Sequence, residues 1–149
     1  MSDTARWALP LLEAGQAQKE MTVNEALAAL DLLSGASVAA VGTDTPPAAP
    51  VAGQCWILGT DPTGDWTGHA QALAGWTAGG WRFLAPREGL TVWSAADGGF
   101  ATFSGGAWRI GARQAGIAAP AGGAVVDAEA RTAVAAVIAA LVAHGLIAA

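Results

Sequence analysis

The first regular run of apolar and polar positions follows Thr22. Thr22 stands three residues before Glu25, the spacing of a capping box, and Gly35 comes where a left-handed C-terminal cap is favoured. Between them, apolar residues recur every three or four positions, as on one face of a helix: Val23, Ala26, Leu27, Leu30 and Leu33. The pattern predicts a helix over residues 23–34.

Between Cys55 and Arg109, short aromatic-rich runs alternate with glycine-rich turns. Six of the seven tryptophans of the chain lie in this stretch. The runs with the length and composition of strands are 54–58, 80–84, 90–93 and 101–103. This segment therefore predicts a small antiparallel β-meander.

The meander contains a weak internal repeat. Trp76 is followed by two glycines and then by Trp81, Arg82 and Phe83, whereas Phe103 is followed by two glycines and then by Trp108, Arg109 and Ile110. In each copy an aromatic strand end, a glycine turn and a returning Trp-Arg pair describe a hairpin with the aromatics on adjoining strands. The repeat predicts a duplicated hairpin.

The segment 43–53 is rich in proline, with Pro46, Pro47 and Pro50. Proline lacks the amide hydrogen that a sheet ladder needs and is excluded from helix interiors. We therefore expect a linker between the N-terminal helix and the aromatic segment.

A second helix is predicted after Asp127, a favoured N-cap residue, with Glu129 in the first turn and with His144 and Gly145 at its end. Residues 132–149 have no charged side chain apart from His144, but they are mostly alanine, a weak driver of membrane insertion. We expect a helix that packs in the core or between copies of the chain. Its apolar stripe consists of Val134, Val137, Ile138, Leu141 and Val142.

Together these patterns predict an α+β fold with an N-terminal helix, a small Trp-rich antiparallel β-meander and a C-terminal helix used in oligomerisation. The 149 residues suffice for one domain with appendages. The predicted segments are a helical attachment segment at 1–42, the Pro-rich linker at 43–53, the Trp- and Gly-rich β module at 54–112, a loop at 113–126 and the helix at 127–149.

Composition narrows the classes of function. The formal net charge is −5, and only seven residues are Lys or Arg, so we expect no binding to nucleic acid, which needs clustered positive charge. Only 13% of the residues are charged, which suggests a surface covered by neighbours, and we therefore expect a homo-oligomer. Composition leaves its symmetry, a trimer or a pentamer, open. Cys55 is the single cysteine and is expected to be a small buried hydrophobic residue.

The tryptophans suggest a saccharide site. Exposed indole rings stack on the apolar faces of sugars, and neighbouring carboxylates and imidazoles can bind sugar hydroxyls. The alternative interpretation is that tryptophan fills a core that is poor in large aliphatic side chains. The candidate glycan-binding residues are Trp66, His69, Trp76, Trp93, Asp61 and Asp65.

No catalytic centre is predicted. Four carboxylates near the aromatics lie in glycine-rich turns, where such side chains commonly satisfy turn amides, and no spacing pairs them: Asp61, Asp65, Glu88 and Asp97. His69, His144 and Cys55 have no recognised metal-ligand spacing, and no phosphate or dinucleotide fingerprint is present. We therefore expect a protein that is not an enzyme and that has neither a metal nor a cofactor.

An ordered set of motifs resembles a family of uncharacterised phage and gene-transfer-agent proteins. In residues 9–27 a Gln-x-Gln-Lys-Glu run precedes Asn-Glu-Ala-Leu, and a Leu-Asp pair follows at Leu30 and Asp31. The resemblance reaches about Arg87. Its later motifs are Pro46-Pro47, the strand at 53–58, Gly64-x-Trp66-x-Gly68-His69 and Gly79-Gly80-Trp81-Arg82-Phe83.

This resemblance implies a structural virion component similar to the head spikes of gene transfer agents. Such spikes project from capsid vertices and help the particle to attach to the capsular polysaccharide of a recipient cell. The implied partners are a capsid vertex or another spike or fibre protein, without membrane insertion. The implied location is the surface of a virion-like particle that is assembled in the bacterial cytoplasm and released by lysis. The alternatives are a stand-alone carbohydrate-binding module and a capsule depolymerase.

Overall fold

A computed structural model describes residues 2–13, 15, 19–111, 116–123, 127–143 and 146–147. The chain divides into two compact units, residues 1–111 and 112–149. The first unit contains helix α1 (Lys19–Leu33) and the strands β1 (Ser37–Val38), β2 (Val41–Thr43), β3 (Cys55–Leu58), β4 (Leu73–Thr77), β5 (Gly80–Leu84), β6 (Thr91–Ser94), β7 (Gly99–Ser104) and β8 (Ala107–Ile110). The second unit contains helix α2 (Ala128–Ala143). The predicted α+β class is confirmed.

The strands form two sheets of four strands each. The first sheet has the order β2-β3-β4-β5, and the second has the order β1-β6-β7-β8. In each sheet, three consecutive strands are joined as an antiparallel meander, as the sequence predicts. The sequence pattern did not reveal the fourth strand of either sheet, which pairs in parallel.

The two sheets share one construction. β4 and β5 form a hairpin with a two-residue loop, in which Trp76 lies opposite Trp81. β7 and β8 form a second such hairpin, in which Phe103 lies opposite Trp108. The ring centroids of these two pairs are 5.0 and 5.6 Å apart, both in edge contact. The duplicated hairpin predicted from the repeat is therefore confirmed, and the flanking strands β3 and β6 extend it.

The two sheets pack face to face, but the two faces that meet are not equivalent in the repeat. Ile57 and Leu73, paired on the first sheet, share a core with Val92 and Ala101, paired on the second. By register, Val92 and Ala101 correspond to Trp56 and Ala74, which lie on the other face of the first sheet. The stacking is therefore head to tail, because unlike faces of the two copies meet.

The outer face of the first sheet has its own cover. The connection between β3 and β4, residues 59–72, is longer than the matching connection 95–98 and carries a short 3-10 helix, Gly64–Trp66. It places Trp66 in a second core with Trp56, Leu58, Ala72 and Ala74. This segment, called here the cap, makes the first sheet buried on both faces.

Helix α1 begins earlier than predicted. Thr22 lies inside the helix, so the proposed capping box with Glu25 is wrong, whereas Gly35 does adopt the left-handed conformation expected of it. The apolar face read from the sequence is also largely wrong, since Val23 and Leu30 are 40% and 54% exposed. The buried side chains are instead those of Asp31 and Leu32.

An N-terminal loop, residues 2–11, explains the burial of Asp31. Its carboxylate accepts hydrogen bonds from the hydroxyl of Thr4 at 2.7 Å and from the backbone amides of Arg6 and Trp7 at 3.0 and 2.7 Å. The Arg6 guanidinium donates to the carbonyl of Leu32, and the Trp7 indole donates to that of Ser34. The loop thereby satisfies backbone groups at the C-terminal end of α1.

The segment 43–53, predicted as a linker, connects β2 to β3 within the first unit. Its first residue, Thr43, ends β2 and pairs with Leu58 of β3. Leu32 of α1 belongs to the same core as Ile57 and Leu73 on the following strands. Helix α1 and the sheets therefore share one hydrophobic core on either side of this segment.

In the second unit, the predicted N-cap is confirmed, since Asp127 accepts a hydrogen bond from the amide of Ala130 at 2.9 Å. Arg131 donates to the carbonyls of Pro120 and Gly122. Val137 of α2 is 59% exposed. The predicted helix end at His144 and Gly145 lies outside the described residues. Within the described ranges, no helix combines the length and the apolarity needed to cross a membrane.

Candidate functional site

The outward side of the second sheet carries an exposed aromatic pair. Trp93 on β6 and Phe100 on β7 lie opposite each other and are 37% and 59% exposed. Their ring centroids are 5.1 Å apart at an interplanar angle of 80°. We call this surface the open face and define it by five residues: Thr91, Trp93, Phe100, Thr102 and Arg109.

Strand alternation produces the open face. Val92 and Ala101 point into the core and are 1% and 0% exposed, so their neighbours Trp93 and Phe100 must point the other way. In the first sheet the positions equivalent to Trp93 and Phe100 are Ile57 and Leu73, which are fully buried by the packing of the second sheet. The second sheet has no such cover within the described part of the first unit.

Hydroxyl groups lie beside the aromatic pair. Thr91 and Thr102 are directly opposite each other, and their Oγ1 atoms are 3.0 Å apart, within hydrogen-bonding distance. Thr91 and Thr102 lie on the same face as Trp93 and Phe100, because each is two residues away from one of them along its strand. The open face therefore combines apolar rings with groups that can donate and accept hydrogen bonds.

Arg109 supplies the positive charge of the open face. It lies opposite Thr102 on β8, is exposed, and its Nε donates weakly to the carbonyl of Ser104 at 3.4 Å. Glu88 lies near the same hairpin turn, but its carboxylate accepts from the amide of Gly105 at 3.1 Å. Among the residues that the structure describes, Arg109 forms no ion pair.

Trp66, a candidate from the sequence, is fully buried at 0% exposure. Its ring centroid is 6.1 Å from that of Trp56 and 5.2 Å from that of Trp81. A ring with no exposed surface cannot stack on a sugar, so Trp66 fills the core beneath the cap, in line with the alternative interpretation of the tryptophans.

The other candidates are distributed over two sides of the first unit. Trp76 is half-buried against Trp81, and His69 is exposed and stacks on Phe83 with centroids 3.7 Å apart. Asp61 and Asp65 are exposed. Like Trp66 and His69, they belong to the cap, residues 59–72. Trp93 lies on the open face, across both sheets from the cap, so it does not join these residues in one site.

Sequence reasoning missed Phe100, Arg109 and the two threonines of the open face. The signal that could have found Phe100 is the alternation of β7, in which Phe100 and Thr102 flank the small residue Ala101. Arg109 was visible as the counterpart of Arg82 in the repeated hairpin. Its position beside the aromatic pair depends on the register of β6, β7 and β8.

A cavity of about 220 Å³ lies between α1, the N-terminal loop and the β4–β5 hairpin. Its wall includes Glu25, whose two carboxylate oxygens accept hydrogen bonds at 2.8 Å from the guanidinium of Arg82. This hydrogen bond lowers the pKa of Glu25 and raises that of Arg82. Asp31 also lines the cavity, with its oxygens engaged by the N-terminal loop. Both carboxylates therefore have structural partners.

Cys55 is buried, as expected, at 1% exposure, and burial raises the pKa of its thiol. A protonated, enclosed thiol is a poor nucleophile and a poor metal ligand. Over the described ranges, no group of three or more His, Cys, Asp or Glu side chains is placed to hold a metal ion.

A search of curated proteins found no match to this chain. A family model described as a protein of unknown function, DUF2793, matches residues 23–109, which is more than half of the chain. The matched residues include α1 from Val23 onward, the cap, both repeated hairpins and the open face through Arg109. The chain therefore belongs to the DUF2793 family.

Proposed function

We propose that this protein is a non-catalytic structural subunit of a phage-like particle, a head spike or fibre of a gene transfer agent, that supports attachment to cell-surface polysaccharide. The observation that carries the binding part of this proposal is the exposed Trp93–Phe100 pair on an uncovered sheet face. The particle part is supported by the resemblance of the ordered motifs in residues 9–87 to those of phage and gene-transfer-agent proteins.

The open face has the chemistry of a saccharide platform. The apolar face of a sugar ring stacks on an aromatic ring, while its hydroxyls need donors and acceptors close by. Trp93 and Phe100 supply the rings, and Thr91 and Thr102 supply the hydroxyls. The rings are held on paired strands, so little conformational entropy is lost when a ligand binds.

Helix α2 supports the assembly part of the proposal. Val134 and Val137 are 43% and 59% exposed, and the helix has no buried residue. Apolar side chains exposed along a helix are favourable contacts for a partner helix. We propose a homo-oligomer, a trimer or a pentamer, that docks at a capsid vertex or on another spike or fibre protein, on the surface of particles released by lysis.

The binding proposal is tested with purified protein and capsular polysaccharide from a recipient strain. Trp93→Ala and Phe100→Ala should each weaken binding about tenfold or more, measured by calorimetry, because each removes a stacking surface. Val51→Ala is the matched control, since Val51 is 63% exposed in a connection away from the open face. Equal binding by all four proteins would exclude the open face as the platform.

The particle proposal is tested by deleting the gene. Particles without the protein should still package DNA but adsorb less to recipient cells. Complementation with the wild-type chain should restore adsorption, and complementation with Trp93→Ala should not. Unchanged adsorption by the deletion particles would remove the attachment role.

A stand-alone carbohydrate-binding module is the second candidate, because the open face lies entirely within the first unit. Light scattering separates the two candidates. A stable monomer that binds polysaccharide and is absent from purified particles would favour the module over the spike.

A further inference from the structure

Resting on the proposed function, we propose that the open face binds an acidic polysaccharide, with Arg109 holding a sugar carboxylate beside the Trp93–Phe100 platform. The inference comes from the internal repeat, because the first sheet shows what the equivalent arginine binds. It specifies the class of the ligand, which is a chain containing uronic acid residues.

Arg109 and Arg82 occupy the same position in the two copies. Arg82 lies opposite Gly75 on β4, and Arg109 lies opposite Thr102 on β7, each one residue after the tryptophan of its hairpin. Arg82 holds a carboxylate in a bidentate pair, with Nε and one terminal nitrogen each 2.8 Å from an oxygen of Glu25. A guanidinium at this position of the sheet can therefore present its fork to a carboxylate.

The open face around Arg109 lacks the recess that receives a helix side chain in the first sheet. In the first sheet, Leu32 of α1 lies over Gly75 so closely that an added Cβ would be 2.3 Å from its Cδ2 atom. Thr102 stands at the equivalent position of the second sheet, where its side chain would exclude such a leucine. A sugar ring needs no such recess, and it can use the hydroxyl of Thr102 as a hydrogen-bond partner.

The spacing suits a single sugar residue that touches both features. Arg109 is the direct neighbour of Thr102, and Phe100 lies two residues from Thr102 on the same face of β7. Two residues along a strand span about 7 Å, so the guanidinium fork and the phenyl ring are within reach of the carboxylate and the ring of one uronate.

The charge of Arg109 is available for a ligand. The described residues offer it no ion-pair partner, and the nearby Glu88 is occupied by the amide of Gly105. Since the whole chain has a net charge of −5, long-range attraction to a polyanion is absent, and the recognition must come from this local contact. We therefore expect selectivity for a carboxylate in place of general affinity for anions.

The test compares polygalacturonate and polyglucuronate with the same polymers after carboxyl reduction to neutral sugars. The full chain should bind the acidic forms at least tenfold more tightly than the reduced forms in calorimetry. Arg109→Gln should remove that difference by weakening binding to the acidic forms. Arg109→Lys should restore part of it, because lysine keeps the charge but loses the fork. Arg87→Gln, which removes another exposed positive charge, is the matched control.

The outcomes separate the two proposals. If Trp93→Ala weakens binding to both forms but Arg109→Gln changes neither, the platform stands and the acidic ligand is rejected. If no polymer and no capsule preparation binds, the proposed function itself fails and this inference fails with it. If Arg109→Gln instead changes the oligomeric state in light scattering without affecting glycan binding, the open face is a protein interface and the acidic ligand is again rejected.

Discussion

Asp31 is a buried carboxylate whose hydrogen-bond donors all belong to the N-terminal loop. At 3% exposure it would be costly without hydrogen bonds, and it receives three, all from the N-terminal loop. Two of the donors are the backbone amides of Arg6 and Trp7, which would otherwise be left without partners. Asp31 therefore fixes the loop to the end of α1.

Asp31→Ala should destabilise the first unit by about 2–4 kcal/mol, because it leaves these donors unpaired in a partly buried site. Urea unfolding followed by tryptophan fluorescence measures the loss. Asp65→Ala is the control, since Asp65 is exposed, and we expect a change within about 0.5 kcal/mol. Equal stabilities of the two variants would show that the loop contributes nothing through Asp31.

The Glu25–Arg82 pair makes a small contribution that depends on pH. The folded-state pKa of Glu25 lies below its ordinary value of 4.5, so the contribution is complete above that value and is lost as pH falls through the folded pKa. Because the Glu25 side chain is 57% exposed, we expect only about 0.2–1 kcal/mol.

Glu25→Gln should therefore lower stability at pH 7 by that amount, and its difference from the wild type should be smaller near pH 3, because the folded-state pKa of Glu25 lies below 4.5. Urea midpoints at the two values of pH provide the measurement. A difference between the proteins that is the same at both values would contradict the assignment of the pH dependence to Glu25.

At the scale of elements, each sheet is built on one tight hairpin, β4–β5 or β7–β8. The turn between β7 and β8 consists of Gly105 and Gly106, both left-handed at φ values of 61° and 78°, as a type I′ turn requires. Gly106→Ala should cost roughly 1–2 kcal/mol, since a Cβ is strained in this conformation. Gly105→Asn should be tolerated, because asparagine is favoured at the first position of such turns. Thermal unfolding of the two variants tests the turn type, and equal losses would contradict it.

The hairpins could be predicted from the sequence because their signals are local. A short glycine-containing turn flanked by aromatic residues predicts a hairpin in both copies, and the structure pairs Trp76 with Trp81 and Phe103 with Trp108. β1 and β2 could not be predicted, since each is two or three residues long and pairs with a strand that is distant in the chain. Long-range pairing of this kind leaves no periodic pattern in a short segment.

The buried face of α1 was misassigned for a related reason. Hydrophobicity favoured Val23 and Leu30 over Asp31, but the N-terminal loop supplies hydrogen bonds that make the burial of Asp31 favourable. The candidate site was found only in part. Trp93 was identified by residue type, whereas Phe100 and Arg109 join it through the register of three strands.

At the scale of the whole molecule, both hydrophobic cores lie within residues 1–111. A fragment that ends at Gly111 should therefore fold by itself. We expect it to keep the urea midpoint of the full chain in tryptophan fluorescence, because all seven tryptophans lie before that residue. A fragment without a cooperative transition would show that residues 112–149 are needed for the stability of the first unit.

The cap makes the two outer faces of the stacked sheets unequal, because it covers only the first sheet. In proteins built from stacked repeats, a terminal cap stops the addition of further modules at its end. Here residues 59–72 cover the outer face of the first sheet, whereas no described residue of the first unit covers the open face of the second sheet. Each copy of this chain therefore offers only its open face for sheet-to-sheet contact, because the cap covers the outer face of its first sheet. Association through sheet faces then ends at a pair of copies and cannot continue into a filament.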